Sequence, residues 1–101
     1  MIEKVKTSEE FEGCTAYDCG TVLYIRLVKG TTVSDHTHKH KETVFLMEGE
    51  AEVLIGSDKI NVIAPAKITI PKNTYHKFTA MTDCVGLEIK NNMIRKFLHW
   101  F

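Results

Sequence analysis

The stretch "HTHKHKETVFLMEGEAEV" places His36, His38, His40 and Glu42 within seven residues. Residues two apart on an extended chain point to the same face. His36 and His38 therefore share a side, and Glu42 has the same parity at the start of an apolar run. Two imidazoles and a carboxylate aimed at one point suit a divalent transition ion: Fe, Mn, Co, Ni, Cu or Zn. A further donor, His76, follows "IPKNTY", where Pro71 stops a strand and Asn73 supplies a turn. Alone, His76 would read as structural; beside the first cluster it is a candidate closing ligand. The competing reading is a charged, histidine-rich turn without an ion. An ion with open positions can polarise a carbonyl or hydroxyl, which supports isomerase, epimerase or lyase chemistry. With Fe, Ni or Cu and a bidentate substrate it can also activate O2.

These residues need a scaffold, and the chain offers short strands parted by turns. "TVLYIRLV" is rich in β-branched and aromatic residues and ends at Lys29-Gly30. "TVFLME" follows, Gly49 turns, and "AEVLIG" returns, which reads as a hairpin. "INVIAP", "KITIP", "HKFTAM" and "CVGLEIK" complete seven or eight strands at spacings of about 8–12 residues. That pattern indicates an all-β sandwich or barrel. Crossover helices are absent, which excludes a doubly wound α/β fold. The tail "NNMIRKFLHWF" has apolar residues near a 3.6 period. It is expected as a short helix, or an added strand, that closes one end of the barrel or packs on a second subunit.

The run Gly30, His36-Thr37-His38, Glu42, Gly49 resembles the first motif of the cupin family. The run Pro71 to His76 resembles its second motif. The resemblance implies a small double-stranded β-helix barrel, a jelly roll, with a short apolar C-terminal segment. It further implies one divalent transition metal per chain, held by His36, His38, Glu42 and His76. Four ionisable groups inside an apolar barrel would be costly without an ion to compensate them. The second motif departs from the family at Pro65, Asn73 and Ala80. Asn73 is a mild change, because asparagine tolerates left-handed geometry. None of the three touches a ligand. His40 falls where the family turns, so it is expected at the rim, with Lys39 and Lys41 on a solvated turn.

Tyr24 and Arg26 share one face of the strand before the motif, opposite Leu23, Ile25 and Leu27. If that face looks inward, Arg26 clamps a substrate carboxylate and Tyr24 moves a proton, which makes both candidate catalytic residues. If it looks outward, they are surface or interface residues. Glu52 and Glu88 are expected outside the barrel or at strand ends.

Composition bounds the rest. A chain of 101 residues is expected to form one domain, residues 1–101. Thirteen basic residues balance thirteen acidic ones, so nothing steers the chain to nucleic acid or an anionic membrane. No apolar run approaches the roughly 20 residues of a membrane span. The first residues lack the apolar core of a signal peptide, and an odd count of three cysteines fits a reducing compartment. The cytoplasm is thus the expected location. The expected partner is a small polar ligand or substrate, such as a sugar or sugar acid, and the apolar tail favours a homodimer. Three roles follow: a metal-dependent isomerase, epimerase or lyase; a metal-dependent dioxygenase; and a non-catalytic small-ligand-binding module.

Overall fold

A computed structural model describes residues 1–35 and 37–90. Within them run ten strands: β1 (Lys6–Phe11), β2 (Cys14–Asp18), β3 (Val22–Leu27), β4 (Thr32–Asp35), β5 (Glu42–Glu48), β6 (Glu50–Ile55), β7 (Asp58–Ile63), β8 (Ala66–Ile70), β9 (His76–Ala80) and β10 (Cys84–Ile89). They form a six-stranded sheet in the order β1-β2-β3-β10-β5-β8 and a four-stranded sheet in the order β4-β9-β6-β7. Every pairing is antiparallel. The all-β jelly-roll expectation holds. No helix among the described residues is long and apolar enough to cross a membrane. His36 and the apolar segment 91–101 lie outside the described residues.

Three strands escape the sequence pattern. β1, "KTSEEF", is exposed along its whole length, so no apolar alternation marks it. β2 and β4 have only five and four residues. One connection also differs from expectation. β5 and β6 do not form a hairpin: β5 pairs with β10 and β8, and β6 pairs with β7 and β9. Gly49 instead carries the chain from one sheet to the other. It does so at φ 95°, in the left-handed region that a side chain disfavours. The corner is fastened by Glu50 N–H donating to Thr82 Oγ1 (2.9 Å) and Met81 N–H donating to Glu50 O (2.9 Å). The hairpin on this side is β6–β7, turned at Gly56 and Ser57.

The inner faces of both sheets supply the core. Val53 and Ile70 are its most deeply buried large side chains, and Leu46, Ile68 and Ala80 pack with them. Strand alternation sends Val44 and Leu46 inward from β5 and Ile68 and Ile70 inward from β8. Glu42 lies on that same inward face and stands opposite Ile70. A carboxylate is therefore fixed at the end of an otherwise apolar row.

Candidate metal centre

Three of the four expected ligands lie within the described residues, and the fold brings them together. His38 sits on the connection between β4 and β5, Glu42 is the first residue of β5, and His76 is the first of β9. The two strands belong to opposite sheets, so the cluster bridges the sheets at one end of the barrel. One donor atom from each residue lies within 4.8 Å of the others. The Glu42 carboxylate is shared: Oε1 lies 3.0 Å from His38 Nε2, and Oε2 lies 3.4 Å from His76 Nε2.

Those separations fit an ion. Bonds of about 2.1 Å to nitrogen and oxygen place neighbouring donors about 3.0 Å apart at right angles and about 3.4 Å apart at tetrahedral angles. Among the described residues, His38, Glu42 and His76 are the donors, two imidazoles and a carboxylate, a set that suits a divalent transition ion. The fourth expected ligand, His36, lies outside the described residues. His40 is half-buried and does not belong to the cluster.

The turn before β9 shapes the site. Asn73 adopts φ 57°, the left-handed geometry expected of its place in the second motif. Its backbone N–H donates to the His38 carbonyl at 2.6 Å and ties the loop bearing one imidazole to the turn bearing the other. His76 Nδ1 lies 3.1 Å from the Thr74 carbonyl. A carbonyl only accepts, so Nδ1 carries the proton in this contact, and the Nε2 lone pair of a neutral ring is left for an ion. His76 is 2% exposed, with the edge of its ring against Phe78 at a centroid distance of 6.2 Å. The buried imidazole is thus oriented from behind and from the side.

A cavity of about 190 Å³ opens beside Glu42 and His76, between the two sheets. Leu23, Ile25 and Leu27 line it from β3, which settles the orientation of that strand. Tyr24 and Arg26 point to the other face of the sheet, so neither reaches the cavity. Tyr24 stands in a row across the outside, opposite Tyr17 and Leu87, and its ring lies 6.1 Å from that of Tyr17. Arg26 is exposed and stands opposite Thr15 and Val85. The catalytic roles expected for these two residues depended on an inward face, and alternation places the leucines and isoleucine there instead.

Glu88, expected outside the barrel or at a strand end, is the penultimate residue of β10, and it lines the cavity with Gly86 and Cys84. The strand "CVGLEIK" has its bulkier apolar residues, Val85, Leu87 and Ile89, on the outer face, so the more hydrophobic parity points the wrong way. The register gives the reason: Glu88 stands opposite both Val44 and Leu23, which face inward. It is therefore a diagonal same-face neighbour of Glu42, with Cα atoms about 7–8 Å apart. Cys14 and Cys84 also face the cavity. They flank Leu27 on either side in register, two strand spacings or about 9.5 Å apart, too far for a disulfide. Burial raises both thiols above their ordinary range and keeps them protonated, as inert cavity walls.

Residues 23–89 match the family model of the cupin domain. No curated protein matches the sequence. Among solved structures, the chain is similar to KdgF from Halomonas sp., with TM-score 0.71 and 14% identity over 87% of this chain and 90% of that one. An RmlC-like cupin from Shewanella frigidimarina gives TM-score 0.72 and 16% identity over 84% and 81%. A salicylate 1,2-dioxygenase from Pseudoaminobacter salicylatoxidans gives TM-score 0.69 and 15% identity over 77% of this chain but 23% of that one. At these identities the likeness is one of fold.

Proposed function

The chain belongs to the cupin family, and from that premise we propose that it is a divalent-metal-dependent enzyme of the isomerase or lyase type. Its substrate is a small compound that meets the metal through oxygen. The observation that carries this reading is the placement of Glu88. A second carboxylate faces the cavity from the same sheet face as the ligand Glu42, a diagonal step away in register.

His38, Glu42 and His76 would hold the ion, with His36 as the fourth ligand implied by the family motif. A bound divalent ion supplies Lewis-acid polarisation of a substrate oxygen and so acidifies the neighbouring carbon or hydroxyl. The protein supplies the rest. Thr74 holds His76 in the tautomer that donates its Nε2 lone pair. The hydrocarbon walls exclude water and orient the substrate body. Glu88 takes a proton from the acidified position and returns it to the adjacent atom, or to a leaving group in a lyase. With Arg26 and Tyr24 on the outer face, neither is placed to clamp a sugar acid's carboxylate or move its proton.

Solvent exchange tests the reading. The Zn²⁺-loaded protein in D₂O should speed deuterium incorporation next to the carbonyl of an α-hydroxyketone such as 2-hydroxyacetophenone, followed by mass spectrometry. Glu88→Gln should lower that rate by about 10²-fold or more with zinc content unchanged. An unaltered rate in Glu88→Gln would remove the proton-transfer role. The dioxygenase reading draws on the fold shared with the salicylate 1,2-dioxygenase. Oxygen uptake by Fe²⁺-loaded protein, without exchange, would put it first.

A further inference from the structure

An antiparallel sheet that packs one face on a core commonly turns a polar face to water. The six-stranded sheet does not. Tyr17, Tyr24, Leu87 and Phe45 stand in one register row across its four central strands, β2, β3, β10 and β5. They point outward, since the alternate residues of the same strands line the cavity. Each is half-buried, and no described strand lies over them. Val22 and Ile89 extend the apolar surface along one side of this row, and Val85 along the other.

The two edge strands differ from the centre and from each other. On the outer face β1 carries Glu10, opposite Thr15, and β8 carries Lys67, opposite Phe45. Both are exposed, and neither has an ion-pair partner among the described residues. An apolar, aromatic centre inside a charged rim is the make-up of a protein contact. One margin is acidic and the other basic, which makes the face complementary to itself. The strand order β1-β2-β3-β10-β5-β8 has its midpoint between β3 and β10. A two-fold axis through that midpoint, along the strands, lays β3 on the partner's β10, β2 on its β5 and β1 on its β8. Tyr24 then meets the partner's Leu87, and Tyr17 meets the partner's Phe45. Glu10 comes within one row of the partner's Lys67.

We propose that the chain forms a two-fold homodimer through this outer face, its sheets packed face to face on the side away from the cavity. The inference is independent of any metal. With strands about 4.8 Å apart and same-face rows about 6.8 Å apart, the face covers roughly 29 by 20 Å, or roughly 600 Å². A standard interface takes about 800 Å² from each partner, so this one lies at the small end and should dissociate on dilution.

Sedimentation velocity of the full chain from about 1 to about 100 μM, a span that brackets a micromolar Kd, tests the proposal. A dimer that dissociates across this range is expected. Lys67→Glu should weaken it about tenfold, because two rim attractions become repulsions. Glu10→Lys should do the same, and the two changes together should restore the original affinity. Within one copy the two residues lie on opposite edge strands, five strand spacings or about 24 Å apart, well beyond the Debye length of about 10 Å at 0.1 M salt. A restoration therefore reports a contact between copies. Both side chains are exposed, so these variants should keep their melting temperature. Leu87→Glu, at the centre, should abolish the dimer. A protein that is monomeric throughout the range would overturn the proposal and leave the face to residues 91–101 or to another protein. A folded Leu87→Glu variant that stays dimeric, or a double exchange no tighter than either single change, would overturn it by placing the contact elsewhere.

Discussion

His76→Ala should abolish most of the stabilisation that divalent metal confers on the protein. His76 presents Nε2 to the shared Glu42 carboxylate from a nearly buried position. It is also the only donor the described four-stranded sheet gives to the cluster. Removing a ligand outright should weaken binding by at least the roughly 100-fold that loss of a supporting contact can cost. At a metal concentration of about 100 Kd, binding stabilises the native protein by about 2.7 kcal/mol; a 100-fold weaker site retains about 0.4. For a domain of this size the difference is about 10 °C of metal-induced rise in Tm. The truncation also leaves a void, so the informative quantity is the difference between scans with and without metal, taken for each protein separately. Glu42→Gln keeps the volume and removes the charge, and it should lose the increment in the same way. A metal-induced rise in His76→Ala equal to that of the unaltered protein would show that the ion sits elsewhere.

Gly49→Ala is expected to be the most damaging single-methyl change in the described residues. A Cβ at this position would run into the backbone carbonyl of Asp83. It would also stand 2.8 Å from Thr82 Oγ1 and 2.9 Å from Cys84 Sγ. The carbonyl is backbone and cannot rotate away. The residue is also at φ 95°. Strain in that region costs about 1–3 kcal/mol, and overpacking a further 1–3. A loss of about 3 kcal/mol or more, or about 12 °C in Tm, is expected. Gly20→Ala separates the two causes: Gly20 has φ 86° but nothing within 4 Å of its added Cβ. It should show the conformational cost alone. Equal losses in the two variants, measured by urea denaturation, would mean that the close approach at Gly49 is relieved by a shift of the corner.

Much of this site was legible in the sequence because its signals are local. His38 and Glu42 are only four residues apart, although a bend at Lys39 and His40 between β4 and β5, not the parity of an extended strand, brings them together, and the proline and asparagine before His76 mark a turn. Asn73 shows why a departure from the family's glycine is tolerated: it takes the left-handed geometry and donates to the loop of His38. What could not be read was the side of each strand that faces inward. β3 alternates Leu23, Ile25 and Leu27 with Tyr24 and Arg26, and either face is apolar enough to line a barrel. β10 is harder still, since its outer face is the more hydrophobic one and its inner face holds Cys84, Gly86 and Glu88. Only the pairing of Glu88 with Leu23 and Val44 decides the matter, and pairing is not a local property. The Gly49 corner was ambiguous for the same reason, because one glycine between two strands serves a hairpin or a change of sheet equally well.

The most direct test of the metal centre is elemental analysis of the protein purified without an affinity tag, with anaerobic reconstitution alongside. One divalent transition ion per chain, lost from His76→Ala and Glu42→Gln, is the expected result. Protein that carries no such ion and takes none up would contradict it, and the cluster of His38, Glu42 and His76 would then be a hydrogen-bonded structural group.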